Sequence, residues 1–356
     1  MNEKKIGFFG IAMTFIGTLI GAGFASGQEI LQFFAGFGFK GVIGACMVAL
    51  CFSLLGIITM LTARNLNTNA YETVVSSNRA IRIFMNTVIT FFSFGVITVM
   101  LAGAGSMATA IFGWDPFWGS VIMAVIMAIV AMCGSEGLIN SFSVVVPIMV
   151  IIAVVAGVLG MNSGSGAVVE AVAHLELTAV HNWVIAGLLF VSYNTICAIA
   201  VLVPLGHEAK NAKNAVCGSL LGGVILGGIA VILCIAVLKN FDVAVSGDMP
   251  MYMISVKINS YLGYAYAFVL FAAIFTTAAG LMYALMMRLT QYNTIVTKNK
   301  NVLVILLTVL ALIGSRVGFT VLIGTLYPLT GYLGFLIIAA LIYSFFRSRR
   351  KAAQAE

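Results

Sequence analysis

The sequence predicts an all-α polytopic membrane protein with ten membrane-spanning helices. Of its 356 residues, 62% are hydrophobic and only 8% are charged, whereas soluble proteins average about a quarter charged residues. Apolar segments of about 17–25 residues, the length that spans a bilayer, recur along the chain. No polar stretch is long enough for a soluble domain, so residues 1–356 are expected to form one transmembrane domain.

The spans follow one another along the chain, joined mostly by short connections. They are expected at approximately 6–35, 40–63, 80–112, 117–134, 137–160, 183–206, 213–238, 259–288, 301–315 and 317–346. The ninth is short, and the tenth is interrupted at Gly324 and Pro328. The first apolar segment is too long for the core of a signal peptide, so we expect it to stay in the membrane as a span.

The distribution of basic residues predicts the orientation. With ten spans and a cytoplasmic N-terminus, 14 of the 18 Lys and Arg residues lie inside and 4 lie outside. This bias follows the positive-inside rule and places both termini in the cytoplasm. The net charge of +7 is explained by this topology. The expected surroundings are therefore the lipid bilayer, and nucleic acid is not expected as a partner.

The first span contains small and polar residues where a membrane helix should be apolar. Residues 20–29 read IGAGFASGQE. Backbone groups in hydrocarbon must be bonded internally, and polar side chains are costly there. The glycines alone also fit close helix packing, but Ser26, Gln28 and Glu29 on the same segment favour a polar site. The pattern predicts a helix that is broken at membrane depth around that site.

A second polar run lies in the sixth span, which contains Ser192-Tyr193-Asn194-Thr195. Spans one and six correspond when the chain is divided into two five-span halves of opposite orientation, approximately 6–160 and 183–346. Paired interruptions at matching positions point to a binding site. The sequence thus predicts a 5+5 inverted repeat with discontinuous helices one and six. Hydrogen bonding between helices is the alternative role for Tyr193 and Asn194.

On these residues the chain resembles the LeuT-fold transporters of the amino acid–polyamine–organocation superfamily, and among them the YkvI-like bacterial membrane proteins. The residues that carry the resemblance are 17–29 in span one, Phe190-Val191-Ser192-Tyr193-Asn194 in span six, and 273–277, read AIFTT, in span eight. The resemblance implies a secondary active transporter of the bacterial cytoplasmic membrane. It also implies alternating access by a tilt of spans 1, 2, 6 and 7 against spans 3, 4, 8 and 9.

The resemblance further implies a sodium site between spans one and eight. Its ligands would be the carbonyls of Gly17, Ile20 and Ala273 and the side chains of Thr276 and Thr277. Oxygen ligands of this kind suit a hard cation. The alternative is that the threonines bond to carbonyls one turn back in their own helix. A sodium ion is the expected cofactor, and no organic cofactor is expected.

The expected solute is small and zwitterionic, an amino acid or a related compound. Amides at the start of the outer half-helix, on Ala22 and Gly23, would hold its carboxylate. The rest of the pocket would be shaped by Phe24, Ser26, Glu29, Tyr193 and Asn194. The role of Glu29 stays open between binding a solute amine, carrying a coupling proton, pairing with a base such as Arg316, and reaching outer water.

Two other functions remain open. The first is a proton-coupled transporter of the same fold that uses Glu29, and the second is a nutrient sensor that binds its ligand without moving it. An enzyme is not expected, because no span holds a catalytic acid–base pair, a nucleophile with its base, or a metal cluster.

Overall fold

The first predicted span is divided into three short helices. The computed structural model describes residues 5–133, 136–164, 180–290 and 299–353, and these ranges are helical apart from connections and one isolated bridge between Ile6 and Ala209. The three helices are α1 (Phe8–Leu19), α2 (Ala22–Ala25) and α3 (Gln28–Phe33), followed by a 3₁₀ turn at Ala35–Phe37. The remaining helices of the first half are α4 (Phe39–Asn65), α5 (Tyr71–Val75), α6 (Arg79–Phe112), α7 (Pro116–Cys133) and α8 (Glu136–Ser163).

In the second half, the residues that the structure describes form five long helices and two short ones. They are α9 (Trp183–Glu208), α10 (Ala212–Lys239), α11 (Phe241–Ala244), α12 (Pro250–Ile258), α13 (Ser260–Leu289), α14 (Lys300–Ser315) and α15 (Phe319–Ala353). A short helix, α5, follows the second span, and α11 and α12 follow the seventh. These positions correspond in the two predicted halves, whose relation as inverted repeats stays a prediction.

Asparagine fixes where five of these helices begin. The side-chain oxygens of these asparagines accept hydrogen bonds from backbone N–H groups in the first turn that follows, which would otherwise lack partners. The five are Asn78 before α6, Asn182 before α9, Asn211 before α10, Asn259 before α13 and Asn299 before α14. The asparagines in the polar connections therefore determine where these helices begin, whereas the apolar pattern alone predicts their first residues only approximately.

The number and order of the apolar helices agree with the sequence. Eight described helices are long and apolar enough to cross a membrane, and the two shorter apolar helices are α1 and α14. With α2 and α3 completing the first span, these helices correspond to the ten predicted spans. The prediction of a polytopic all-α membrane protein is confirmed.

The prediction that helix six is discontinuous is wrong. The sixth span, α9, runs as one helix from Trp183 to Glu208. Its polar side chains find partners without opening the backbone, because Asn194 Nδ2 donates to the Phe190 carbonyl (2.9 Å) and Thr195 Oγ1 to the Val191 carbonyl (2.7 Å). Ser192 Oγ donates to the Gly331 carbonyl of α15 (2.7 Å). Side-chain bonding to the preceding turn and to a neighbouring helix accounts for this polar run.

The long helices form two bundles. The main partners of α1, α4, α9 and α10 are one another, and we call these helices the first bundle. The second bundle consists of α6, α7, α13 and α14, which likewise pack mainly on one another. Helices α8 and α15 contact members of both bundles, and α2 of the first span contacts α13. The bundles contain the spans 1, 2, 6, 7 and 3, 4, 8, 9 that the resemblance groups together.

Candidate functional site

The break in the first span lies between α1 and α2. Ile20 (φ −82°, ψ 90°) and Gly21 (φ −95°, ψ −179°) have extended backbones. The Gly21 N–H donates to the Leu19 carbonyl (3.1 Å), so among the described residues the Gly17 carbonyl accepts no backbone hydrogen bond. The predicted interruption of helix one is confirmed, and it frees main-chain oxygens at the end of α1.

A second turn separates α2 from α3 at Gly27, whose φ of 82° lies in the left-handed region. A Cβ atom there would also meet Met251 Cγ at 2.7 Å, so glycine is required both for conformation and for space. The two turns together divide the first span into α1, α2 and α3.

A cavity of about 690 Å³ opens beside the first break. Residues from α1, α2, α3, α6, α8, α9, α13 and α15 line it, so it lies between the two bundles. Ten of the twelve predicted site residues are among its lining: Gly17, Ile20, Ala22, Gly23, Glu29, Tyr193, Asn194, Ala273, Thr276 and Thr277. The structure thus brings together residues that are far apart in the chain.

Two predicted site residues lie outside this lining. Phe24 is buried with its ring 6.3 Å from that of Phe190. Ser26 Oγ donates to the Gly23 carbonyl (2.7 Å) and accepts from the Gln28 N–H (3.2 Å). Ser26 therefore bonds within the turn at the end of α2 and Phe24 packs near Phe190, and their contribution to the pocket stays a prediction.

Glu29 is the acidic residue of the cavity. Its side chain is only 6% exposed, and its Oε2 accepts a hydrogen bond from Tyr193 Oη (2.6 Å). Its Oε1 lies so close to Gly23 that a Cβ atom at that position would overlap it. No Lys, Arg or His is among the described residues that line the cavity. Arg316, the base suggested as a partner, instead lies 4.4 Å from the centroid of the Phe117 ring.

Three aromatic rings form one wall of the cavity. The ring centroids of Phe92 and Tyr193 are 5.9 Å apart, those of Phe92 and Tyr327 are 5.5 Å apart, and those of Tyr193 and Tyr327 are 4.8 Å apart. Sequence reasoning missed Phe92 and Tyr327. The signal for Tyr327 is its place directly before Pro328, at which the sequence predicts an interruption of the tenth span; the structure has this span as the continuous helix α15. Phe92 lies in an apolar run and carries no such signal.

The predicted sodium ligands lie on helices from different bundles. Gly17 and Ile20 belong to the end of α1, and Ala273, Thr276 and Thr277 belong to α13. Thr276 Oγ1 donates to the Ala273 carbonyl (3.1 Å), which leaves lone pairs on both oxygens. All five candidate donors are uncharged oxygens, so the residues present fit a hard monovalent cation.

A group of polar contacts connects α3, α6 and α15. Asp248, in the connection before α12, accepts from Ser106 Oγ of α6 and from Thr320 Oγ1 of α15, each at 2.6 Å. Gln28 Nε2 of α3 donates to Thr320 Oγ1 (3.0 Å). We call Gln28, Ser106, Asp248 and Thr320 the Asp248 cluster. Nearby, the Met251 N–H donates to the Ser26 carbonyl (2.9 Å).

Comparisons with known proteins agree on the fold. No protein-family model matches the chain. It is 29% identical over 350 residues to the uncharacterized membrane protein YkvI of Bacillus subtilis (strain 168), covering 96% of this chain and 97% of YkvI. The inward-facing conformation of Mhp1 superposes with a TM-score of 0.62 at 14% identity, covering 98% of this chain and 78% of Mhp1. The chain has the LeuT fold.

Two further solved structures share the LeuT fold but differ in what they bind. MhsT in complex with L-phenylalanine has a TM-score of 0.62 at 13% identity, covering 99% of this chain and 100% of MhsT. A substrate-bound, outward-open Na⁺-coupled sialic acid symporter has a TM-score of 0.59 at 13% identity, covering 95% of this chain and 79% of the symporter. The LeuT fold is thus compatible with different solutes, and the solute of this chain must be inferred from its own cavity.

Proposed function

We propose that this chain is a sodium-coupled symporter that moves a small zwitterionic solute, an amino acid or a related compound, across the bacterial cytoplasmic membrane. The observation that carries the proposal is the break between α1 and α2, which opens onto a cavity lined by the predicted residues. Main-chain groups freed at membrane depth are costly unless they bind something. A broken helix beside a cavity between two bundles is how many secondary transporters build their sites.

In this proposal the two ends of the solute meet different groups. The amides of Ala22 and Gly23 begin α2 and lie at the cavity, where they can donate to a carboxylate. The carboxylate of Glu29 and the hydroxyl of Tyr193 offer acceptors for an amine. Asn194 also lines the cavity and adds an amide to the wall opposite the break.

Sodium would connect the two bundles. The carbonyls of Gly17 and Ile20 belong to the first bundle, whereas Thr276 and Thr277 belong to the second. An ion shared between them would stabilise the broken span and favour one arrangement of the bundles over the other. The likeness to a Na⁺-coupled symporter supports this assignment.

The structure also supports an assignment of the conformational state. Along α1 the cavity extends to Met13 and Thr14, and Met13 is 40% exposed. Gln28, which precedes the cavity residue Glu29 in the chain, is buried and bonded to Thr320 within the Asp248 cluster. With the cytoplasmic N-terminus predicted from the basic residues, the cavity opens inward, which agrees with the likeness to inward-facing Mhp1.

Flux through the purified protein in liposomes tests the proposal. A thermal-shift screen of amino acids and related metabolites, in sodium and in potassium, first selects solutes that stabilise the protein. We then expect accumulation of the selected solute under an inward sodium gradient and none under an equal potassium gradient. Equal uptake in the two salts would contradict sodium coupling, and binding without flux under any gradient would instead indicate a sensor.

Proton coupling is the second candidate, because Glu29 is a buried carboxylate in the cavity without a basic partner among the lining residues. In that case a proton gradient drives uptake without sodium. Replacing Glu29 by Gln would then abolish uptake driven by a proton gradient while leaving solute binding measurable. Sodium-driven uptake that survives in the Glu29→Gln variant would exclude this candidate.

A further inference from the structure

We propose that the cavity selects its solute through a positively charged ammonium group, and that the solute's carboxylate contributes little to recognition. The inference rests on the proposed function in taking this cavity as the solute site. Of the two contacts in the proposed function, it keeps the contact between a solute amine and Glu29 and sets aside the contact between a solute carboxylate and the amides of Ala22 and Gly23. The solute class then extends to small primary or quaternary ammonium compounds that lack a carboxylate.

The charges of the lining support a cation. Glu29 is the acidic side chain among the described lining residues, and none of those residues is basic. A carboxylate that is 6% exposed lies in surroundings of low polarity, where charge interactions are stronger than in water. A cationic solute gains from this carboxylate, whereas an anionic group meets no opposing charge.

The position of Glu29 weakens the case for a solute carboxylate at α2. Glu29 Oε1 lies against Gly23, at the start of the helix whose amides would hold that carboxylate. A carboxylate of the protein itself therefore already lies beside these amides. A second carboxylate at the same place would be repelled by the first.

The aromatic wall supplies the second half of a cation site. Phe92, Tyr193 and Tyr327 form one cluster with ring centroids between 4.8 and 5.9 Å apart, and all three line the cavity. Ring faces attract ammonium groups, most strongly where water is excluded. Because Tyr193 Oη donates to Glu29, the rings and the carboxylate are held together as one unit. An ammonium group in the cavity can therefore contact the Glu29 carboxylate and the aromatic rings at the same time.

Cys197 offers a direct test, because it also lines the cavity. The wild-type protein in detergent is treated with two methanethiosulfonates of similar size, one carrying a trimethylammonium group and one a sulfonate. Peptide mass spectrometry follows modification of Cys197 and of Cys133, an exposed thiol at the end of α7 that serves as the internal reference. After normalisation to Cys133, we expect Cys197 to react at least about tenfold faster with the cationic reagent, because a charged cleft concentrates counter-ions.

Two variants test whether the charge of Glu29 causes this preference for the cationic reagent. Glu29→Gln keeps an acceptor for Tyr193 and removes the charge, so the preference should fall to near unity. Asp242→Asn removes one charge from an exposed position on α11, outside the cavity, and should keep the wild-type preference. Equal normalised rates in the wild-type protein, a preference for the sulfonate, or no modification of Cys197 by either reagent would overturn the inference.

The test separates this inference from the proposed function. The charge preference is measured in detergent and requires neither sodium nor flux. A wild-type protein that prefers the cationic reagent but shows no flux would contradict the transporter proposal and keep the inference. Sodium-driven flux in a protein without the preference would support the transporter proposal and contradict the inference.

Discussion

The contact between Gly23 and Glu29 shows why one position in the broken span favours glycine. A Cβ atom at Gly23 would overlap Glu29 Oε1, whereas a Cβ atom at Gly21 would meet nothing within 4 Å. The need at Gly23 is for space, since the backbone there is helical. Gly23 thus allows Glu29 to be buried in the cavity and to accept from Tyr193.

Replacing Gly23 by Ala should therefore disturb the site, and Gly21→Ala is the matched control. We expect Gly23→Ala to displace the Glu29 carboxylate and to destabilise the protein by ~1–3 kcal/mol, as overpacking does. Thermal unfolding in detergent should show a lower midpoint for Gly23→Ala than for Gly21→Ala. Equal midpoints for the two variants would show that Glu29 moves aside without cost.

The hydroxyls of Thr276 and Thr277 give the sodium proposal a test at single residues. Replacing both by Ala removes two of the five proposed oxygen ligands, so half-maximal solute binding should require at least about tenfold more sodium. Thr325→Ala is the control, because its hydroxyl donates to the Val321 carbonyl (2.7 Å) on the exposed side of α15. Sodium titrations of solute binding measure the shift. An unchanged midpoint in the double variant would remove these threonines from the site.

At the level of helices, the sequence predicted the break in span one correctly but wrongly predicted a break in span six. The break in span one was predictable because Gly21, Gly23 and Gly27 combine with polar residues in a segment that should be apolar. The polar run of α9 gave the same signal, but no glycine lies between Gly187 and Gly206, and its side chains bond to their own helix and to α15. In this chain, the polar run that coincides with a break is therefore the one that also contains glycines.

The aromatic wall could not be read from the sequence. Phe92 and Tyr327 lie on α6 and α15, and their rings meet because these two helices pack against each other. A phenylalanine in an apolar span is equally suited to lipid, a helix interface or a cavity wall. The resemblance to LeuT-fold proteins identified the main-chain and threonine groups, whereas this side-chain contact depends on tertiary packing.

The Asp248 cluster joins helices that would have to separate if the cavity were to open at this end. Asp248 is hydrogen-bonded to α6 and α15, and Thr320 accepts from Gln28 of α3. If this end faces outward, as the proposed orientation requires, the cluster keeps the outer entrance closed. Breaking it should favour the outward-open arrangement.

Asp248→Ala is expected to open this entrance. Loss of two hydrogen bonds to a carboxylate should raise the outward-open population by at least about fivefold, the change produced by ~1 kcal/mol. Modification of Cys197 by the membrane-impermeant trimethylammonium reagent, added outside intact cells, reports that population. Asp242→Ala, on exposed α11, should leave the rate unchanged. The same rate in both variants would mean that other contacts hold the entrance shut.

For the whole molecule, the important feature is that each of the two bundles packs mainly within itself. The main contacts of each bundle are internal, and the bundles are joined chiefly by α2, α8 and α15. The cavity lies along this boundary. A tilt of one bundle against the other would therefore change the openings of the cavity while leaving most of the packing inside each bundle intact.

Sodium should act on this boundary. In the proposed inward-open state, the end of α1 and the middle of α13 border the cavity, and an ion shared by Gly17, Ile20, Thr276 and Thr277 would draw them together. An ion that binds one arrangement more tightly must shift the population toward it. In vesicles with the cytoplasmic face outward, sodium should therefore slow modification of Cys197 by the trimethylammonium reagent severalfold relative to potassium. The Thr276→Ala, Thr277→Ala double variant should show no difference between the salts. If sodium slows the reaction of this variant as much as that of the wild-type protein, the ion binds elsewhere. If sodium accelerates the reaction of the wild-type protein, the ion favours the inward-open arrangement instead.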